Sequence, residues 1–270
     1  MNILIRKYSD RLLNLKTAKD LNWDKWSEDT MKEVDEHIRE LAEIVSDLRK
    51  LFGHGTTYNM IPADTSAYVL LRILFSDAQH YGITYGISIA KGLGKSFAAK
   101  QWAKENKEKV VMVQCTSEMS NDDLIISIAR QLGVECIQHI DGITEDAKAS
   151  LVALEKGLLL IDDCHLLSDV ALCCFINFCN RIKGEVGIIL MGNDYLRNRI
   201  IDGLRLDIPG YEEIYKAIGR RFITLNSPGP KDAELICGAN HVPFSYKELY
   251  NTNDGFHTLA TSIRTLKNQE

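Results

Sequence analysis

The stretch of sequence that decides the fold reads Ile89-Ala90-Lys91-Gly92-Leu93-Gly94-Lys95-Ser96. An apolar run, residues 84–90, leads into it, and residues 97–104 after it have the composition of a helix. A strand, a glycine-rich turn ending in Gly-Lys-Ser, and a helix are the three parts of a phosphate-binding P-loop. The turn lets backbone N–H groups face an anion, and the helix N-terminus adds partial positive charge. This stretch therefore predicts a site for the phosphates of a nucleotide.

The residue types of this loop predict separate roles. We expect Lys95 to reach the β- and γ-phosphates and the Ser96 hydroxyl to ligate Mg²⁺. The other expected nucleotide contacts in the loop and the first helical turn are Lys91, Gly92, Leu93, Gly94 and Phe97. The P-loop pattern has a glycine where this chain has Ile89. Taken alone, the loop leaves open a second interpretation, a glycine-rich strand-to-helix turn with an exposed lysine.

A second motif downstream favours nucleotide binding. Residues 158–163 are four apolar residues followed by two acids. This pattern predicts a buried central strand with carboxylates at its C-terminal end, where α/β sheets bind ligands. We expect Asp162 to hold the Mg²⁺ that Ser96 also contacts, and Asp163 to orient or deprotonate the attacking water. Two acids can also cap a following helix, but their order after a Gly-Lys-Ser loop favours an ATP- or GTP-binding core.

Strands and helices alternate through the middle of the chain. The predicted strands are residues 84–90, 109–115, 157–162 and 186–192, and the predicted helices are residues 64–81, 124–132, 145–156 and 169–179. Alternation of this kind implies a parallel sheet with helices on both faces. The sequence therefore predicts an α/β fold, a P-loop parallel sheet flanked by helices.

Two further positions are candidates for catalysis. Asn193 follows the strand at 186–192, where its amide is well placed to hold the water between Asp163 and the γ-phosphate, and a Gly-Asn turn is the alternative. Arg220 and Arg221 precede a last short apolar stretch. An arginine there can reach the nucleotide of a neighbouring subunit, and a basic surface pair is the alternative.

Composition limits the class of protein. The chain has 270 residues, enough for one large α/β core and a smaller appendage. Its net charge of −5 argues against a surface that is basic throughout, although a local basic patch remains compatible. No apolar run reaches the roughly 18 residues of a membrane span, and the first residues lack signal-peptide features. We therefore expect a cytoplasmic protein without a membrane partner. Its 7 cysteines form no C-x-x-C pair, which favours reduced core thiols over a metal site.

The two ends of the chain differ from its middle. Residues 1–60 are predicted to be a helical segment, because apolar residues recur at alternating spacings of four and three from Val34 to Phe52. That apolar seam could pack on the chain itself or on a partner. Residues 226–270 are predicted to form three helices at 231–240, 244–251 and 254–267. The predicted nucleotide-binding core is thus residues 61–225.

These motifs resemble those of the AAA+ ATPase superfamily. Residues 92–96 resemble its Walker A motif, residues 158–163 its Walker B motif, Asn193 its sensor 1, and Arg220 or Arg221 its arginine finger. Within the superfamily, the chain is most similar to the transposition regulators of the MuB, TnsC and IstB type. The segments that carry this similarity are residues 113–133, 162–167 and 191–196. The resemblance extends over roughly residues 66–265.

The resemblance implies a function. Such proteins bind ATP and Mg²⁺, assemble with copies of themselves into rings or filaments on duplex DNA, and present that platform to a transposase. Hydrolysis dismantles the assembly. DNA phosphates would be contacted from the loop after Cys115 and from the face that carries Arg197, Arg199 and Arg205. The absence of an Asn-Lys-x-Asp guanine motif adds to the preference for ATP over GTP.

Two departures from the family pattern keep other functions open. Asp163 stands where Walker B usually has glutamate, so we expect slow hydrolysis. The resemblance implies that the three helices of residues 226–270 form a small lid. His257 stands where this lid usually has the sensor 2 arginine, so its predicted γ-phosphate contact has no permanent positive charge. The alternatives are a helicase-loader-like AAA+ protein, whose N-terminal region binds a helicase, and a nucleotide-gated scaffold with little hydrolysis.

Overall fold

The computed structural model of the protein describes residues 27, 30, 32, 34–40, 58–137, 139–225, 229–243 and 255–268. The chain folds as two compact units, Ile61–Ala260 and Met1–Met60 with Thr261–Glu270. In the second unit residues 34–40 are helical. Most of the predicted N-terminal segment and the predicted lid helix at 244–251 lie outside the described residues.

The described residues form five strands and a series of helices. The strands are β1 (Thr84–Ser88), β2 (Val110–Gln114), β3 (Leu158–Asp162), β4 (Gly187–Gly192) and β5 (Phe222–Ile223). The helices are α1 (Ser66–Tyr81), α2 (Lys95–Glu105), α3 (Asn121–Gln131), α4 (Ile140–Val152), α5 (Asp169–Arg181), α6 (Asp194–Arg205), α7 (Tyr211–Ala217), α8 (Pro230–Ala239) and α9 (His257–Lys267). A short 3₁₀ turn, Cys164–Leu166, follows β3. Among the described helices, none is both long and apolar enough to cross a bilayer.

The strands form one parallel sheet in the order β2-β3-β4-β1-β5. In its register, Tyr85 of β1 pairs with Ile189 of β4, and Leu159 of β3 pairs with Ile188 of β4. The carboxyl ends of β3, β4 and β1 therefore lie side by side, and the loops that follow these strands meet at one edge of the sheet. The predicted α/β P-loop fold, a parallel sheet flanked by helices, is confirmed.

Helices cover both faces of the sheet because apolar side chains of its central strands point to both faces. On one face, Leu159 and Ile161 of β3 belong to a core cluster with residues of α3, α4 and α5. On the other, Leu158 and Leu160 pack with residues of α1 and α2. Each fully buried aliphatic side chain contributes roughly 1.5–3 kcal/mol. This two-sided core fixes the strand ends that carry the polar residues.

The predicted helix at 145–156 is misplaced. The structure has α4 at Ile140–Val152, with Ile143, Ala147 and Leu151 buried at a spacing of four. The sequence interpretation treated Gly157 as the helix end, but the residues before it form separate turns, in which Gly157 N–H donates to the Leu154 carbonyl at 3.0 Å. The buried stripe, not the next glycine, therefore marks this helix.

Candidate functional site

The P-loop contains two glycines whose backbone conformation forms its turn. Gly92 and Gly94 have φ angles of 79° and 82°, a region that side chains with a Cβ rarely adopt. Ile89, at the position of the missing motif glycine, still belongs to the sheet, since its N–H donates to the Gly192 carbonyl at 3.1 Å. Its side chain is only 1% exposed. The isoleucine that replaces the motif glycine at position 89 is thus a core residue where β1 ends.

Lys95 lies inside the P-loop at the start of α2. Its side chain is 8% exposed, and Nζ donates to the carbonyls of Ile89 at 2.8 Å and Ala90 at 3.1 Å. Burial lowers the Lys95 pKa, and the negative charge of Asp162 is the largest influence that opposes this shift. No side chain caps the N-terminus of α2. Backbone N–H groups and an ammonium group together suit an anion such as a phosphate.

Asp162 and Ser96 fit a magnesium ion. Asp162 is 0% exposed, its Oδ1 accepts from the Asp163 N–H at 2.9 Å, and its Oδ2 has no hydrogen-bond partner among the described residues. Burial raises the Asp162 pKa, and the nearby Ser96 hydroxyl opposes that shift in part. A buried carboxylate oxygen without a partner is costly unless something satisfies it. Hard cations take oxygen ligands of these two kinds.

Asp163 begins the turn after β3 in a left-handed conformation, with φ 57°. Its Oδ2 accepts a hydrogen bond from Gln114 Nε2 at 3.2 Å, and its Oδ1 lies 3.8 Å from His165 Nδ1. Gln114 ends β2 and pairs in register with Asp162, so the sheet itself brings it to Asp163. The sequence analysis did not identify Gln114. The sequence feature that could have identified Gln114 is its position as a polar residue at the end of a predicted strand.

Asn193 lies at the end of β4, between the strands of the two motifs. Its Oδ1 accepts from the Tyr195 N–H at 3.0 Å, which caps α6, and its carbonyl accepts from Ser88 Oγ at 3.2 Å. Because Oδ1 already has a donor, a contact with water or phosphate would come from Nδ2. Capping is therefore observed, while the sensor role of Asn193 stays a prediction.

Arg220 and Arg221 lie away from the P-loop of their own chain. Both are exposed, and β5 begins directly after them. Phe222 pairs with Gly86, so Arg221 lies level with the amino end of β1, while the P-loop follows its carboxyl end. That offset is roughly 13 Å at the usual rise per strand residue. The arginine finger role of Arg220 or Arg221 stays a prediction.

The residues before α9 rest on the P-loop. Phe256 N–H donates to the Gly92 carbonyl at 2.9 Å. Gly255 has φ +59°, and a Cβ at this position would lie 2.8 Å from the Gly92 carbonyl atoms. His257 comes next and is exposed. The backbone thus brings His257 near the phosphate loop, and its predicted γ-phosphate contact stays a prediction.

The prediction that Arg199 lies on an exposed face that contacts DNA is wrong. Its side chain is 13% exposed, its Nη1 donates to the Leu167 carbonyl at 2.8 Å, and its Nε lies 3.2 Å from Asp169 Oδ1. Arg197 and Arg205 are exposed, and Arg205 forms an ion pair with Asp202 at 3.2 Å. The loop after Cys115 has no lysine or arginine in residues 116–120. Arg199 therefore has a structural role.

The cysteines are free thiols, and the most buried of them are Cys115, Cys164, Cys179 and Cys237. Burial raises the pKa of the Cys164 thiol and of the Cys179 thiol. In the described part of the chain, no group of three or more His, Cys, Asp or Glu side chains is arranged to hold a metal ion.

Residues 89–200 match the family model described as AAA domain. The match starts at the P-loop and ends within α6, so it includes Lys95, both acids after β3 and Asn193. It indicates an AAA-type P-loop ATPase domain, a type that generally binds ATP with Mg²⁺ and often oligomerises. No curated protein matches the sequence.

Proposed function

From an AAA-type P-loop ATPase domain at residues 89–200, we propose that the protein is an ATP-dependent, DNA-binding regulator of transposition. It binds ATP, assembles with its own copies on duplex DNA, and recruits or activates a transposase, and hydrolysis drives disassembly. One observation carries the nucleotide chemistry: Lys95, Ser96 and two acidic residues meet at one edge of the sheet. The resemblance in residues 162–167 and 191–196 carries the link to transposition.

ATP binding follows from the loop residues. The β- and γ-phosphates would take the place of the Ile89 and Ala90 carbonyls as partners of Lys95 Nζ. Ser96 and Asp162 would hold Mg²⁺, which neutralises charge on the phosphate oxygens. His257 would approach the γ-phosphate from the residues that follow the Gly92 contact. Binding thereby orders the loop and the start of α9 around one ligand.

Hydrolysis would depend on Asp163. Its carboxylate can accept a proton from the attacking water, with Gln114 holding one carboxylate oxygen and Asn193 Nδ2 directed at the water. A shorter side chain than glutamate reaches the water less well, so we expect slow turnover. Slow turnover suits a protein whose assembled state must last long enough to recruit a partner.

Assembly would depend on arginines from a neighbouring copy. Arg220 and Arg221 are exposed near the amino end of the strand that leads into their own P-loop, where they would face the nucleotide of another subunit. A ligand that is bound at such a boundary stabilises the assembled form by mass action. Arg197 is an exposed candidate for a DNA phosphate contact, and such contacts weaken with salt.

Alanine at Arg220 or Arg221 tests this arrangement. We expect ATP to bind both variants with wild-type affinity, because neither side chain lies in its own chain's site. Turnover by the assembled protein should fall at least about 10-fold in the variant that loses the finger. Lys216→Ala, an exposed position near both arginines, is the matched control and should keep wild-type turnover. Wild-type turnover in both arginine variants would remove the finger assignment.

Particle size measured by light scattering tests the whole proposal. The protein should grow into large particles only when ATP and duplex DNA are both present, and less so at moderate than at low salt. A closed ring without DNA would favour the helicase-loader alternative. A protein that binds ATP but releases no phosphate, with or without DNA, would be the nucleotide-gated scaffold that Asp163 and His257 leave open.

A further inference from the structure

His165 has a buried ring nitrogen that no described residue satisfies. Its side chain is 12% exposed, and Nδ1 has no hydrogen-bond partner among the described residues. The nearest carboxylate oxygen is Asp163 Oδ1, at 3.8 Å, which is beyond hydrogen-bond distance. Buried polar atoms without partners are rare in folded proteins, and each one needs a reason.

Burial of the His165 ring favours its neutral form. Burial lowers the His165 pKa, and the positive charges of Lys95 and Lys91 lower it further, while Asp163 opposes the shift. A neutral imidazole carries one N–H, and the tautomer decides which nitrogen donates. With Asp163 as the nearest acceptor to Nδ1, the Nδ1–H tautomer is the one that gains a partner.

The backbone that carries His165 is held from α6. Arg199 Nη1 donates to the carbonyls of His165 at 3.4 Å and Leu167 at 2.8 Å. Asp169 holds the same arginine through Nε, and Asp169 in turn accepts from the Tyr211 hydroxyl at 2.6 Å. The backbone of the turn is thus held on both sides of Leu166, and rotation of the His165 and Asp163 side chains can bring Nδ1 and Oδ1 together.

We propose that His165 is a positioning residue for Asp163, donating a hydrogen bond from Nδ1–H to Oδ1 while Gln114 donates to Oδ2. This inference rests on the proposed ATPase function. A shift of roughly 0.9 Å brings the two atoms to hydrogen-bond distance. With both carboxylate oxygens held, the short side chain keeps one direction toward the water. A fixed orientation favours the productive geometry of a carboxylate whose side chain is one methylene shorter than that of glutamate.

Three substitutions separate this role from packing. In asparagine the amide nitrogen is bonded to Cγ, as Nδ1 is in histidine, whereas in glutamine it lies one bond further out. We expect His165→Asn to keep kcat within about 3-fold of wild type, and His165→Gln and His165→Ala to lose about 10-fold, in line with a lost positioning bond. ATP affinity, measured with a fluorescent ATP analogue, should be the same in all three variants.

Each alternative result overturns the inference. Wild-type kcat in His165→Ala would mean that Asp163 needs no second donor. Equal losses in all three variants would mean that the ring acts by packing. Rescue by glutamine but not asparagine would place the bond at Nε2. Asp163→Asn, measured alongside, identifies failure of the proposed function itself: if that variant hydrolyses ATP normally, the catalytic assignment is wrong whatever His165 does.

Discussion

Replacing Lys95 with alanine is expected to lower ATP turnover at least about 100-fold and to abolish ATP-dependent assembly. The ammonium group lies inside the loop, bonded to two carbonyls that phosphate oxygens would replace. A charge-assisted hydrogen bond to a phosphate is roughly twice as strong as a neutral one. Binding of a fluorescent ATP analogue, phosphate release and particle size by light scattering measure the three consequences.

The alanine variant also loses a structural contact, so two further variants are needed. Removing Nζ leaves the carbonyls of Ile89 and Ala90 without this donor, at a cost of about 1–3 kcal/mol for each that stays buried. Lys95→Gln keeps a donor without the charge, and it should be as inactive as Lys95→Ala while melting closer to wild type. Lys100→Ala, an exposed lysine on α2, should keep wild-type activity. Unchanged assembly in Lys95→Ala would contradict the P-loop interpretation.

The sequence was sufficient for the parts of the site that depend on local chemistry. Gly92 and Gly94 predict a turn that only glycine adopts easily, and the apolar run before Asp162 predicts a buried strand. The alternation of strands and helices then implies a parallel sheet, whose strand ends must meet at one edge. Local patterns and one topological rule therefore predicted the fold and the place where the motifs converge.

What the sequence left out depends on contacts between distant segments. Gln114 is exposed and unremarkable in the sequence, and only the pairing of β2 with β3 brings it to Asp163. Arg199 has the character of a surface charge on a polar helix, yet it is bonded to carbonyls more than a helix away in the chain. No periodicity or motif in the sequence predicts either contact. Both required the register of the sheet and the position of α6.

Replacing Asp163 with asparagine should separate ATP binding from hydrolysis. Asparagine has the same shape but cannot take a proton from water, so turnover should fall at least about 100-fold, the usual scale for a lost general base. The fold should survive, because asparagine tolerates the left-handed backbone at position 163, where φ is 57°. The amide oxygen can still accept from Gln114. ATP affinity should therefore be unchanged, and assemblies on DNA should persist instead of dissolving.

Time courses of light scattering after ATP is depleted would measure this persistence. Asp202→Asn, an exposed carboxylate on α6 that pairs with Arg205, is the matched control and should dissolve at the wild-type rate. Normal hydrolysis in Asp163→Asn would move the catalytic role to another group. The pair of variants is more informative than either alone. Lys95→Ala should lose assembly and turnover together, whereas Asp163→Asn should lose turnover and keep assembly on DNA, because assembly would need bound ATP but not its hydrolysis.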